Sequence, residues 1–174
     1  MNDLVTRAQQ GDDDAFGQLI QQYKTILYRT AYSYTRNEQE AIDIVQEAVY
    51  KAYVSLDSLK KSTHFQSWMI RIVINCAIDH LRKRKKHQSI ICFLTIEKDR
   101  SLKQLVYQNT DNFHDLIDHL EEKYKTIIIL KYLHDLTMRQ IAEMLEIPIG
   151  TVKTQLHKAL QLLRLEMKEG CVNE

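Results

Sequence analysis

The 174-residue chain holds one proline, Pro148, and four glycines, Gly11, Gly17, Gly150 and Gly170. At average usage a chain this long carries about a dozen glycines and about eight or nine prolines. Sandwiches, barrels and doubly wound sheets need many tight turns, and tight turns draw on those two residues. Their scarcity excludes such folds, along with glycine-rich phosphate loops and flexible Pro/Gly linkers. Cysteine is scarce as well. Cys76, Cys92 and Cys171 are odd in number, widely spaced and form no Cys-x-x-Cys. This excludes a disulfide framework or zinc finger and fits reduced thiols. The longest apolar run, residues 90–94, is far too short to span a bilayer. The start of the chain, MNDLVTRAQQGDDD, is acidic and polar, unlike a signal peptide. A cytoplasmic location is therefore expected. No His-Glu-x-x-His, Gly-x-Ser-x-Gly or Walker loop occurs. No catalytic residue, cofactor or metal site is expected.

Apolar residues make up 44% of the chain, enough for a packed core. Helical spacing dominates. Phe16, Leu19, Ile20, Tyr23, Leu27 and Ala31 recur at i, i+3, i+4 through residues 14–34. Asn37 followed by Glu40 predicts an N-cap with its capping-box partner, opening a helix to about residue 55. A short polar loop at 57–63 precedes a helix over 65–86. Periodicity then weakens, so residues 89–110 read as a flexible linker, with a short helix near 101–106. Further helices are predicted at 113–120, 123–133, 138–145 and 150–168. The expectation is an all-α chain of two small helical domains, residues 1–88 and 111–174, the second containing a helix-turn-helix.

The net charge of +1 conceals a strong segregation. Residues 1–59 carry five basic and nine acidic side chains, while residues 60–88 carry eight basic and one acidic. Residues 111–147 return to four basic and eight acidic. A basic block between acidic ones can be a solvated face. It is also the electrostatic footprint of a phosphate-binding surface.

Residues 136–163 read LTMRQIAEMLEIPIGTVKTQLHKALQLL. Thr137 can cap the first helix with Gln140 as reciprocal partner. Ile141, small Ala142 and Leu145 face inward, and Ile147 plugs the turn. Glu146 stands where a left-handed backbone favours glycine. Val152, Leu156, Ala159, Leu160 and Leu163 give the second helix a buried stripe. Lys153, Thr154, His157, Lys158 and Gln161 form its exposed face, all able to donate hydrogen bonds and none acidic. A plain amphipathic hairpin would share the apolar pattern. The cationic face points to a helix-turn-helix whose second helix enters a major groove.

On the 65–86 helix, Trp68, Arg71, Asn75, Asp79, Arg82 and Lys86 share one stripe, with Ile70, Val73, Ile74, Ala77 and Leu81 opposite. Cations hold phosphates, an aromatic stacks on a base, and an amide bonds a base edge. This set suits single-stranded DNA. A basic end on an ordinary bundle helix is the plainer reading of residues 82–86, since cations favour a helix C-terminus. Cys76 and His80 are spaced as half a zinc site, but without a second pair they read as core packing. His134-Asp135 reads as a loop dipeptide.

Taken together, the segments DAFGQLIQQY, AIDIVQEAVYKAY, FQSWMIRIVINCAIDHLRKRKK and EEKYKTIIILKYLHDLTMRQIAEMLEIPIGTVKTQLHKAL resemble a bacterial extracytoplasmic-function sigma factor over nearly the whole chain. The resemblance implies a transcription initiation subunit that binds core RNA polymerase and recognises −10 and −35 promoter elements. Asp43, Gln46, Glu47 and Tyr50 would dock on the largest subunit's coiled coil, and the flap region would receive the second domain. Trp68, Arg71, Asn75, Asp79, Arg82 and Lys83 would hold the −10 strand, with the 57–63 loop and Phe65 shaping a pocket for an extruded base. Lys153, Thr154, His157 and Lys158 would read the −35 duplex. An anti-sigma factor, often a membrane protein, is the implied antagonist, and a stress response the implied setting. Gln155 stands where the family often has arginine, Glu121 near its usual proline, and the LEIP turn lacks its common glycine. These departures leave the promoter sequence open. A stand-alone helix-turn-helix regulator is the alternative, separable by a palindromic footprint made without polymerase.

Overall fold

The computed structural model describes residues 2–94 and 117–170, with side chains placed for 3–84 and 117–165. Among these residues every regular element is helical. The order is α1 (Asn2–Gln9), α2 (Asp13–Thr35), α3 (Glu38–Ser55), α4 (Phe65–Leu94), α5 (Glu122–Ile128), α6 (Met138–Leu145) and α7 (Ile149–Gly170). Two short 3₁₀ turns, Leu56–Ser58 and Ser62–His64, link α3 to α4, and a π-helical turn, Ile129–Leu133, continues α5. The expected helix at 101–106, the linker beyond residue 94 and most of the 113–120 helix lie outside the described residues.

Helices α1 to α4 form one bundle and α5 to α7 a second. The first is filled by Leu19, Leu27, Ala31, Ile44, Phe65, Met69, Ile70 and Val73, all essentially inaccessible to solvent. The second closes around Ile127, Leu130, Ile141, Val152 and Ala159, equally buried.

Local chemistry sets the boundaries. Asp12 caps α2 by accepting from the Ala15 amide at 2.9 Å, and Arg7 reaches the same carboxylate at 2.6 Å. Gly11 precedes it at φ 91°, a conformation that only glycine adopts without strain. Asn37 caps α3 through the Glu40 amide at 3.0 Å. The expected reciprocal bond from Glu40 is replaced by a longer reach, because its carboxylate pairs with Arg84 at 3.1 Å and His80 at 3.3 Å on α4. At Thr137 both halves of the capping box form.

Two elements differ from the sequence-based expectation. Helix α1 was not anticipated; Leu4, Val5 and Ala8 sit on its inner face. Helix α4 runs to Leu94 and not to residue 86, so the apolar run at 90–94 is helical.

Candidate nucleic-acid interface

The second helix of the helix-turn-helix presents the residues that the sequence singled out. Lys153, Thr154, His157, Lys158 and Gln161 are exposed, while Val152, Leu156 and Ala159 are buried beneath them. Helix α7 starts at Ile149, two residues before Thr151, because the Pro148 carbonyl accepts from the Thr151 and Val152 amides at 2.9 and 3.2 Å. A proline nitrogen has no hydrogen to leave unpaired there. Thr154 donates its hydroxyl to the Gly150 carbonyl at 2.9 Å. Toward a ligand it therefore offers a methyl group and an acceptor, and the donors of this face are Lys153, His157, Lys158 and Gln161.

Glu146 occupies the turn at φ 55°, in the left-handed region. Its amide still donates to the Ala142 carbonyl, closing α6. Its carboxylate leaves the motif altogether and accepts from Arg71 of α4 at 2.7 Å, and this bond holds its pKa below the usual glutamate range.

On α4 the expected stripe is uneven, and the side chain of its last member, Lys86, lies outside the described residues. Asn75, Asp79, Arg82 and Lys83 are exposed. Trp68 is half-buried, its ring centroid 6.0 Å from that of Phe65, and Arg71 is half-buried under its bond to Glu146. Arg82 lies 3.4 Å from Glu122 of α5 and 4.0 Å from Asp79. The loop from Ser58 to His64 faces α6 across an open cavity of about 690 Å³, to which Lys60, Lys61, Thr63, Trp68 and Arg71 contribute from one side. This loop is held from behind. Gln9 of α1 donates its side-chain amide to the Leu56 and Leu59 carbonyls at 3.1 and 2.9 Å. Sequence reasoning missed Gln9, since nothing local distinguishes a glutamine that reaches fifty residues along the chain.

The α3 face is less polar than its sequence suggested. Asp43, Gln46 and Glu47 are exposed, with Gln39 donating to Asp43 at 3.2 Å and Lys51 to Glu47 at 2.7 Å. Tyr50 and Val54 stand out at 69% and 67% exposure, with Ile42 and Tyr53 beside them. Spacings of three and four residues put all of these on one side of the helix. An apolar strip of this kind on a surface helix marks a docking face more specifically than acidity does. Tyr53 is partly engaged, donating to Asp13 at 2.7 Å.

Cys76 is buried, and burial raises its thiol pKa. His80 is drawn to Glu40, so the pair does not converge. Among the described residues no three histidine, cysteine or acidic side chains could share a metal. No described helix is long and apolar enough to cross a membrane.

His134, expected as an ordinary loop residue, contacts the first bundle. Thr30 Oγ1 lies 3.0 Å from His134 Nε2 and 2.6 Å from the Ile26 carbonyl. Its single hydrogen goes to that carbonyl, so Nε2–H of His134 donates to Thr30. Nδ1 then carries the lone pair, buried and without a described partner. Burial pushes the imidazole down to about 4. A matching bond runs the other way. Thr126 donates to the Glu122 carbonyl at 2.7 Å, and the Tyr34 hydroxyl, 2.9 Å away, donates to Thr126.

The comparisons agree with this arrangement. Residues 19–87 match the sigma-70 region 2 family and residues 110–163 match sigma-70 region 4. The chain is 33% identical to the ECF RNA polymerase sigma factor SigW of Bacillus subtilis, over 95% of each protein. It is 40% identical to the RNA polymerase sigma factor SigV of the same organism, over 85% of this chain and 88% of that one. The fold is similar to that of CnrH solved with the cytosolic domain of CnrY, with a TM-score of 0.72 at 20% identity over 97% of both chains. With its two helical bundles, its helix-turn-helix and relatives matched end to end, the chain belongs to the extracytoplasmic-function RNA polymerase sigma factors, the non-enzymatic subunits that direct polymerase to promoters.

Proposed function

We propose that promoter recognition is divided among three faces of this sigma factor. The α3 face, with Asp43, Gln46, Glu47 and Tyr50 around the apolar strip, docks on the coiled coil of the largest polymerase subunit. Helix α4 and the 57–63 loop hold the unwound −10 strand. Arg71, Arg82 and Lys83 engage phosphates, Trp68 stacks, and Asn75 and Asp79 bond base edges. Helix α7 reads the −35 duplex through Lys153, His157 and Lys158, with Thr154 supplying a methyl contact, while its bundle rests near the flap. Residues 1–88 and 111–174 act as the two domains and 89–110 as their connection. The protein works in the cytoplasm, where polymerase and DNA are, and an anti-sigma factor is its expected antagonist.

One observation supports the division above the others. Arg71 of α4 and Lys60 and Lys61 of the loop line the open cavity between the bundles, Arg82 and Lys83 stay exposed further along α4, and the exposed cations of α7 line a helix outside the cavity. Melting follows from differential affinity, because a base that leaves the stack gains contacts only in the single-stranded state.

Run-off transcription with core polymerase on fragmented genomic DNA tests the reading. Defined start sites are expected. Lys153→Glu with Lys158→Glu should reduce them at least tenfold, since each lost base or phosphate contact is worth about 1–3 kcal/mol. Polymerase binding should survive in that variant and be lost in Tyr50→Glu. An absence of defined starts from folded wild-type protein overturns the proposal.

A further inference from the structure

The loop between α3 and α4 is two 3₁₀ turns joined by an extended stretch. The first turn closes with the Leu59 amide donating to the Leu56 carbonyl at 3.1 Å, the second with the His64 amide donating to the Lys61 carbonyl at 2.9 Å. Between them Leu59 and Lys61 are extended, at ψ 103° and 118°. Leu56, Leu59 and Phe65 are its buried anchors. Ser58, Lys60, Lys61, Thr63 and His64 line the open cavity. The direction in which Lys60 and Lys61 leave the first turn therefore depends on how that turn is fixed.

Gln9 fixes it. Its Nε2 lies 3.1 Å from the Leu56 carbonyl oxygen and 2.9 Å from that of Leu59. A side-chain amide nitrogen carries two hydrogens, and here each goes to one end of the same turn. Both partners are acceptors, so the nitrogen and not the amide oxygen must face them. A glutamate would set a carboxylate against two carbonyl oxygens, and a methionine of similar length would offer no donor. The brace is itself held. Helix α1 is seated by the burial of Val5 and Ala8, and Arg7 ties it to the Asp12 carboxylate that caps α2. Among the described residues the cavity lining includes Leu59 and not Gln9. Helix α1 also precedes residues 19–87, the part that matches sigma-70 region 2.

We propose that Gln9 is a positioning residue for promoter recognition: by pinning both ends of the Leu56–Leu59 turn from α1, it sets the shape of the pocket that takes an extruded base of the −10 element. The inference rests on the assignment of the 57–63 loop to the unwound strand made above. Gln9 touches no nucleotide and acts through the loop. Pocket contacts are gained only after a base has left the stack, so loosening the loop slows promoter opening and leaves duplex binding intact.

Full-length variants reconstituted with core polymerase test this on a promoter found by run-off transcription, with its −10 and −35 elements randomised one position at a time. Gln9→Met should weaken the wild-type base preference within the −10 element about two- to tenfold, as expected for losing such hydrogen bonds. Gln9→Glu should weaken it at least as much. Preferences within the −35 element should not change. The holoenzyme concentration that half-saturates the promoter should stay the same, while the rate of opening at saturation falls. Ile44→Val trims a methyl group from the buried face of α3 and is the control for destabilisation. It should melt earlier with both sets of preferences intact. An unchanged −10 preference in the folded Gln9 variants overturns the inference. So does an equal loss in Ile44→Val, a loss shared equally by both elements, or a shift in half-saturation with opening unchanged. A wild-type protein with no base preference in the −10 element overturns the strand assignment itself, and this inference with it.

Discussion

Single residues in this protein carry more than their local sequence discloses, and His134 is the clearest case. Its Nε2–H bonds Thr30, its Nδ1 has no described partner, and burial depresses its pKa to about 4. The neutral form is favoured in the folded chain, while the unfolded chain takes up a proton near the ordinary value of about 6.5. Stability from this group is complete above that value and is lost as pH falls toward 4. The loss between pH 7 and pH 5 should be about 1–2 kcal/mol. Thermal denaturation should show the midpoint of the wild type falling more steeply over that interval than the midpoint of His134→Gln. Parallel curves would contradict the assignment. The dipeptide His134-Asp135 was legible as a loop but not as a contact, because its partner lies 104 positions away on a helix whose threonine looks like any other.

At the scale of elements, polar caps were the most readable signals. Asn37 and Thr137 both begin helices as their side chains foretell. Thr137→Ala should cost about 1 kcal/mol and lower the melting temperature by roughly 3 °C, without altering the far-ultraviolet signature of the helices. What escaped notice has physical reasons. Helix α1 has only eight residues, too few to be stable alone, and it exists because Val5 and Ala8 are buried in the first bundle. The end of α4 escaped because a block of like charges argues against helix continuation, yet no proline or glycine interrupts residues 65–94. The α3 face reads in the sequence as acidic and polar, and its apolar part went unnoticed. Acidic residues were conspicuous in the sequence, but only the fold shows Tyr50 and Val54 standing clear of the core beside them.

For the whole molecule, the charge segregation that the total of +1 hides is a testable quantity. If Arg71, Arg82, Lys83 and a loop lysine meet four phosphates, the logarithm of single-strand affinity should fall with the logarithm of salt at a slope of about −3. Lys83→Ala should make the slope shallower by about 0.7, leaving the −35 duplex unaffected. A slope near zero would remove the phosphate role from α4. The two-bundle architecture was readable because each bundle is a local matter of periodicity and caps. The packing of one bundle on the other was not, since it rests on Thr30, Tyr34 and Thr126, side chains that periodicity alone assigns to helix interiors.

The two threonines at that junction have a mechanical consequence. Each hydroxyl spends its only hydrogen on a carbonyl of its own helix, so each acts toward the opposite bundle purely as an acceptor. When the bundles part, neither threonine loses its bond to its own helix. Of these two bonds, the Tyr34 hydroxyl and the His134 N–H are released, and water can take both. The seam can separate without stranding a buried donor, and its hydrogen bonds can be remade without remodelling either side.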